Sequence, residues 1–299
     1  MENKKSSFVL VLGETNSGKS TLINQIVGAK ISIVSHKVQT TRFKVLGVYT
    51  KDNCQIIFID TPGIFTPSRD FDQAMVNLSY SQINEADKVI FLLDAQKGIT
   101  LQTANILAKL DPNKENILVI NKIDLVSKEA LINLINYFKE YKQLNRFFMI
   151  SALKNEGVND LLTYLQNNLS HNVWYYEEDQ LSDVPLYKLA TEITREKIYK
   201  FLNQELPYNI VVEHQQWEET PNTIKIYQNI YVAKSNYKGM ILGSKGSKIK
   251  EIRLAAMDEM KKNFNKKVSL FLYIKVDEKL FEKSYAYQDI GLEFFKNKK

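Results

Sequence analysis

Gly13-Glu14-Thr15-Asn16-Ser17-Gly18-Lys19-Ser20 follows the apolar run Phe8–Leu12 and leads straight into Thr21-Leu22-Ile23. The stretch fits G-x-x-x-x-G-K-[ST] between a strand and a helix, the setting of a phosphate-gripping loop. Gly13 and Gly18 let the backbone curl with several N–H groups aimed inward. The helix expected to begin near Lys19 adds the partial positive charge of its N-terminus. Lys19 is expected to reach the β- and γ-phosphates, and the Ser20 hydroxyl to ligate Mg²⁺. Asn16, Ser17 and Thr21 complete the expected phosphate contacts.

Working outward, the apolar run Gln55–Asp60 ends in Asp60-Thr61-Pro62-Gly63. An acid at the end of such a strand is where Mg²⁺ is held, usually through a water, and the Gly63 N–H is placed to meet the γ-phosphate. Between loop and acid lies Gln39-Thr40-Thr41-Arg42, where one threonine is expected to put its hydroxyl on Mg²⁺; Thr41 is favoured, with Thr40 close behind. Lys19, Thr41, Asp60 and Gly63 are thus the candidate catalytic set. About a hundred residues after the loop comes Asn121-Lys122-Ile123-Asp124. Asn121 and Lys122 are expected to brace the loop and cover the base. The Asp124 carboxylate accepts two hydrogen bonds from the N1–H and exocyclic amine of guanine, a donor pair that adenine lacks. The nucleotide is therefore read as GTP or GDP. Ser151-Ala152-Leu153 follows the last strand, with a backbone N–H expected near the guanine O6. Ras-type enzymes place a Gln after D-x-x-G to orient the attacking water. Ile64 stands there in this chain and no arginine occupies an obvious finger position, so slow intrinsic hydrolysis is expected.

The 299 residues allow two domains. An apolar content of 44% and a charged content of 25% suit a soluble globular protein. One cysteine, Cys54, excludes an internal disulfide framework and fits a reducing cytoplasm. The three histidines are scattered and suggest no metal cluster. Phe8–Leu12 is too short for a signal-peptide core, and no run approaches the length of a membrane span. Residues 1–171 alternate expected strands (Phe8–Leu12, Phe43–Tyr49, Gln55–Asp60, Lys88–Asp94, Asn116–Asn121, Arg146–Ser151) with helices (Ser20–Val27, Phe71–Glu85, Leu101–Lys109, Lys128–Gln143, Val158–Asn168). This is an α/β pattern with a mostly parallel sheet, whose ligands sit at the carboxyl ends of the strands.

A second pattern follows. Residues 172–188, acidic and aromatic around Glu177-Glu178-Asp179, read as a linker, and 189–299 as a small α+β domain. Its expected elements are a helix Leu189–Glu205, strands Tyr208–Trp217 and Thr223–Lys234, a helix pair, and a strand Val268–Val276. The helix pair is joined at Gly243-Ser244-Lys245-Gly246, a G-x-x-G that lets a backbone pass tightly over a nucleic-acid strand. Lys245 and Lys248 are candidates to neutralise phosphates. Residues 234–267 hold ten Lys/Arg against three acids, a surplus larger than the net +6 of the whole chain. Such concentrated charge suggests a polyanion partner. The aromatics Tyr208, Trp217, Tyr227, Tyr231 and Tyr273 are read mostly as core.

With these motifs in place, the chain resembles the Era family of bacterial GTPases over nearly its whole length. The resemblance rests on Asn16–Ser20, Gln39–Arg42, Asp60–Gly63, Asn121–Asp124, Glu205-Leu206-Pro207-Tyr208 and Ile241–Ile249. It implies a P-loop GTPase domain followed by a type II KH RNA-binding domain. It further implies binding near the 3′ end of small-subunit ribosomal RNA, a role in small ribosomal subunit assembly, and peripheral membrane association; the chain is read as a monomer in the cytoplasm with a peripheral inner-membrane fraction. Relatives with Asn at the Asn16 position use it to help hold a potassium ion in place of an arginine finger, which makes K⁺ a candidate cofactor beside Mg²⁺. Leu153 stands where the family more often has a charged residue, and Gly291-Leu292 replaces a usual Gly-Tyr. The expected cycle is that Mg²⁺·GTP orders Thr40-Thr41 and the loop after Gly63, changing how the second domain meets RNA. Two rivals remain open: a signalling GTPase whose basic domain meets anionic lipid, and a constitutive RNA-binding module with a merely structural nucleotide site.

Overall fold

The computed structural model describes residues 4–35, 40–202 and 210–282. The chain divides into two compact units, Met1–Val34 with Thr41–Asp183 and Ser35–Thr40 with Val184–Lys299. Gln39, Glu205-Leu206-Pro207-Tyr208 and Gly291-Leu292 lie outside the described residues.

The first unit carries strands β1 (Lys5–Leu12), β2 (Val45–Lys51), β3 (Cys54–Asp60), β4 (Lys88–Asp94), β5 (Glu115–Asn121) and β6 (Arg146–Met149), ordered β2-β3-β1-β4-β5-β6. Among the described residues of this sheet only the β2–β3 pair is antiparallel. All of β4, and β1 from Val9 to Leu12, is buried, which is why these segments read as unbroken apolar runs. Helices α1 (Lys19–Val27), α2 (Asp70–Glu85), α3 (Leu101–Lys109), α4 (Lys128–Phe138) and α5 (Val158–Asn167) connect the strands. Because β1 lies between β3 and β4, the loop after Leu12, Asp60 at the end of β3 and Asn121 at the end of β5 come to one edge of the sheet. The helix expected to run to Gln143 stops at Phe138. Tyr141 N–H then donates to Phe138 O at 3.1 Å and Leu144 N–H to Tyr141 O at 3.0 Å. These i→i−3 turns keep Phe138 and Leu144 both buried, so the apolar spacing outlasts the helix.

The segment read as a linker is instead bound to the first unit as far as Asp183. Ser6 Oγ donates to Val173 O at 2.6 Å. Gln55, fully buried, accepts from the Tyr175 and Tyr176 N–H groups at 3.0 and 3.1 Å and donates to Tyr176 O at 2.9 Å. Leu46 and Val48 of β2 donate to Asp183 Oδ1 and Leu181 O, both at 2.9 Å. Polar composition suggests a solvated connector; here the polar groups satisfy main-chain donors and acceptors at the sheet edge. Gln55→Leu strips three main-chain groups of their partner and is expected to lower stability by roughly 2–3 kcal/mol, read by urea unfolding of the full chain.

In the second unit, α6 (Leu186–Phe201) begins three residues before the expected start, directly after Pro185, whose φ of −60° suits a helix entry. Strands β7 (Ile210–Glu219), β8 (Thr223–Val232) and β9 (Lys267–Val276) are ordered β7-β8-β9, the first pair antiparallel and the second parallel. Helices α7 (Ser235–Leu242) and α8 (Ser247–Phe264) connect β8 to β9. Ile198, Ile210, Ile230, Ile241 and Ile252 form one core cluster; Ile193, Ile226, Ala256, Met260 and Leu270 form a second. Trp217 packs on that second cluster. The core reading fails for Tyr273, which is 53% exposed, because alternation along β9 turns Leu270, Leu272 and Ile274 inward and Phe271 and Tyr273 outward. Tyr227, opposite Phe271 in register, stacks on it with ring centroids 4.7 Å apart. Among the described residues, no helix is long and apolar enough to cross a membrane.

Candidate nucleotide site and nucleic-acid turn

The loop Gly13–Ser20 curls as its glycines require: Asn16 and Gly18 sit at φ 64° and 102°, and Gly18 is the N-cap of α1. Lys19 opens the helix with its side chain buried, its Nζ donating to Gly13 O at 3.1 Å and Glu14 O at 2.9 Å. Burial pushes its pKa down to about 8, against the opposing pull of Asp60. The loop is thus built around an ammonium in a dry hollow, the cation that phosphate oxygens need. Ser20 Oγ donates to Asp60 Oδ2 at 2.7 Å and lies 3.0 Å from Thr41 Oγ1. Thr40 instead turns its hydroxyl to Ser35 O at 3.3 Å, so of the two expected threonines Thr41 is the one at the site. Asp60 is fully buried, its Oδ1 has no hydrogen-bond partner, and burial raises its pKa despite Lys19 and Ser20. Two hydroxyls and an under-satisfied carboxylate, all hard oxygens, fit Mg²⁺ completing its shell with phosphate and water. Thr21 lies half-buried in the first turn of α1.

After Asp60, the chain returns to the loop. Ile64 N–H donates to Gly13 O at 3.0 Å, and Thr15 N–H donates to Ile64 O at 3.3 Å. The Ile64 side chain is buried in the main core cluster, so the position that bears Gln in Ras-type enzymes faces away from any attacking water. Gly63 has no room for a side chain: a Cβ there would stand 2.6 Å from Thr15 Cα and 2.7 Å from its nitrogen. Gly63→Ala is therefore expected to push the segment off the loop and cut GTP hydrolysis roughly 100-fold while GDP affinity holds, measured by single-turnover hydrolysis and nucleotide titration.

Asn121 is the brace expected. Its Nδ2 donates to Ser17 O at 2.8 Å and its Oδ1 accepts from Ala152 N–H at 2.9 Å, tying the phosphate loop to the 151–153 loop. Lys122, at φ 63°, sends its Nζ to Asp94 Oδ2 at 2.6 Å. Motif reading misses Asp94, although it ends an apolar strand just as Asp60 does, and that is the available signal. A hydrogen bond from Ser151, then the nearby Lys154, holds the Asp124 carboxyl below its usual range and keeps it an ionised double acceptor. Ser151 N–H donates to Glu156 O at 3.0 Å and Ala152 N–H to Asn121 Oδ1 at 2.9 Å. Ser151 and Ala152 contribute by fixing Asp124 and Asn121.

In the second unit, α7 ends at Gly243 (φ 69°, ψ −178°), and a single tight turn Ser244–Gly246, with Lys245 at φ 49° and Gly246 at 78°, leads into α8. A Cβ on Gly243 would meet Lys248 Cβ at 2.6 Å, whereas one on Gly246 would meet nothing within 4 Å. Ser244 and Lys245 are exposed. Lys248 is half-buried, 3.1 Å from Glu251 and over the Phe201 ring, a more braced cation than its spacing suggests. Ile249 of α8 and Leu272 and Ile274 of β9 are partly buried and pack against the core cluster that holds Ile241 and Ile252.

Fold and site together define a guanine-nucleotide-binding P-loop GTPase fused to a KH domain. Residues 8–122 match the family described as 50S ribosome-binding GTPase, and residues 197–280 match the KH domain family. The chain is 47% identical to GTPase Era of Mesorhizobium japonicum and 45% identical to that of Sinorhizobium medicae, each match covering 97% of this chain and 94% of the relative. Two solved structures, each 34% identical with a TM-score of 0.91, align over 96% of this chain and 99% of their own: Era in complex with MgGDPNP and nucleotides 1506–1542 of 16S ribosomal RNA, and a point variant of Aquifex aeolicus Era bound to GDP·AlF₄⁻. The chain belongs to the GTPase Era family, and its reaction is hydrolysis of GTP to GDP and phosphate.

Proposed function

We propose that this chain is a GTP-hydrolysing RNA-binding switch that engages the 3′ end region of small-subunit ribosomal RNA and assists assembly of the small ribosomal subunit. The observation that carries the reading is a Gly243–Gly246 turn with Ser244 and Lys245 exposed and open space at Gly246, in one chain with a guanine-nucleotide site. The Era complex with a 16S fragment supports it.

At the nucleotide, Lys19 meets the β- and γ-phosphates, the Gly63 N–H meets the γ-phosphate, and Asp124 accepts from guanine. Ser20, Thr41 and Asp60 would hold Mg²⁺, which when bound would supply charge neutralisation at the phosphates. Ile64 leaves the attacking water without a side-chain guide, which keeps the unassisted rate low. Asn16, in the left-handed region, is the residue proposed to help hold K⁺. In the second unit, Gly243, Ser244 and Gly246 let the RNA backbone approach, while Lys245 and Lys248 neutralise its phosphates. The reading carries with it a cytoplasmic monomer with a peripheral inner-membrane fraction.

Selection of ribosomal RNA fragments on the full chain, with GTP and then GDP, tests the reading. Enrichment of the 3′ end of the small-subunit RNA is expected. Enrichment spread evenly over both ribosomal RNAs would discard it.

A further inference from the structure

Lys97 belongs to none of the nucleotide motifs, yet its Nζ donates to the carbonyl oxygen of Thr15, inside the phosphate loop, at 2.8 Å. The turn that carries it is built on Asp94. Asp94 Oδ1 accepts from the Gln96 and Lys97 N–H groups at 2.9 and 3.4 Å, and Gly98 N–H closes the turn on Asp94 O at 3.0 Å. The other Asp94 oxygen takes the Lys122 ammonium. The same junction grips the neighbouring loop residue: Glu14 Oε1 accepts from the Thr100 hydroxyl and, at 3.5 Å, from that of Thr103, the two threonines that form the capping box of α3. Lys97 Nζ stands 3.9 Å from the second Glu14 oxygen, and its charge is felt at Lys19. The Glu14–Thr15 stretch is thus cross-braced to the start of α3 by side chains that its own motif does not contain.

A trans peptide is planar, so the Thr15 C=O and the Asn16 N–H point in opposite directions. An ammonium that pins the Thr15 oxygen therefore also fixes the direction of the Asn16 N–H, opposite to it. The same charge polarises that peptide and strengthens its N–H as a donor. Asn16 at φ 64° belongs to this turned-in conformation, which without a restraint is the less populated one for a residue bearing a side chain.

We infer that Lys97 is a positioning residue for GTP hydrolysis: it keeps the Thr15–Asn16 peptide turned so that its N–H faces the phosphate on which charge develops. The inference rests on the reading that Gly13–Ser20 holds the phosphates. Other loop N–H groups and Lys19 already bind the ground state, so the contribution falls on the transition state and therefore on kcat.

The test is GTP hydrolysis, single-turnover and steady-state, by the full chain carrying Lys97→Met, Lys97→Arg or Lys19→Ala. Lys97→Met is expected to lower kcat about tenfold, a modest share of what losing a whole preorganised donor costs, and to shift KM less than about twofold. Thermal unfolding of Lys97→Met should stay at the wild-type midpoint, because the side chain is exposed. Lys97→Arg, which reaches the same carbonyl, should recover most of the loss. An unchanged kcat with Lys97→Met, a loss confined to KM, a lowered unfolding midpoint, or no recovery with Arg would each overturn the assignment. Wild-type hydrolysis by Lys19→Ala would instead sink the phosphate-loop reading itself, so the two failures are distinguishable.

Discussion

Asp124→Asn is expected to turn this guanine nucleotide protein into a xanthine nucleotide protein. Guanine presents two donors side by side, N1–H and the exocyclic amine, and a carboxylate accepts both. An asparagine amide offers one acceptor and one donor. Its acceptor still meets N1–H, but its NH₂ then faces the guanine amine, donor against donor. Xanthine replaces that amine with a carbonyl oxygen, which the new NH₂ satisfies. A site built around hydrogen bonds rejects a mismatched partner strongly because its own buried groups are left unpaired. Guanosine diphosphate affinity should therefore fall roughly 10³-fold or more and xanthosine diphosphate affinity should rise to a comparable degree. The support around the residue favours a clean exchange. Ser151 and Lys154 hold the carboxyl, and Asn121 ties Ser17 to Ala152 without help from Asp124. The phosphate half of the site is untouched, so turnover of xanthosine triphosphate by the variant should approach wild-type turnover of GTP. Paired titrations of both nucleotides into wild type and variant check this, and an undiminished preference for guanosine would mean that Asp124 does not read the base.

How far the sequence reveals this site follows from how each contact is made. Lys19, Ser20, Asp60 and Asn121 act through fixed spacing from a strand end, and spacing is what a sequence displays. Thr40 and Thr41 are chemically identical and adjacent; only the turn of the backbone separates them, with one hydroxyl at Ser35 and the other at Ser20. Asp94 and Lys97 act across the fold on residues 28 and 82 positions away, and neither falls in a motif. The Glu156 and Asn121 partners of the Ser151 and Ala152 N–H groups are not legible, because the destination of a main-chain N–H depends on geometry that residue type does not encode.

The same division holds for the fold. The parallel strands follow from unbroken apolar runs, because burial on both faces is a property of the side chains themselves. The extent of the first unit is less legible. Residues 172–183 are polar and aromatic, and composition cannot separate a solvated connector from a strand-edge strap whose polar groups are paired with Ser6, Gln55 and Leu46. Tyr273 escapes for a related reason. In an α+β domain with helices on one face of the sheet, period-two alternation says that neighbours differ in direction, not which set faces the helices.

Lys245→Asp combined with Gly246→Asp is expected to abolish useful RNA affinity and leave the nucleotide site as it is. The choice of positions follows from the turn. Gly243 could not serve, since its Cβ would strike Lys248 and damage the turn itself, so a loss there would say nothing about RNA. At Gly246 a side chain has open space, and Asp is among the residues best tolerated at its positive φ, as at that of Lys245. The folded domain should survive, because Ile241 and Ile252, which anchor the flanking helices in the core, are untouched. What changes is charge and clearance where a nucleic-acid backbone must pass. One cation becomes two anions, and the gap that a glycine leaves for a sugar–phosphate is filled. Losing one phosphate contact flattens the dependence of log K on log salt by about one unit, and adding repulsion lowers affinity further at every salt concentration. Together these are expected to weaken binding of a 3′-end small-subunit RNA fragment at least roughly 100-fold near physiological salt, with GTP and GDP affinities inside about twofold of wild type. Filter binding over a salt series, alongside nucleotide titration of the same preparation, measures both. RNA affinity that survives the double change with its salt slope intact would place the RNA surface somewhere other than the Gly243–Gly246 turn. A parallel fall in nucleotide affinity would show that the change had not been confined to the KH domain.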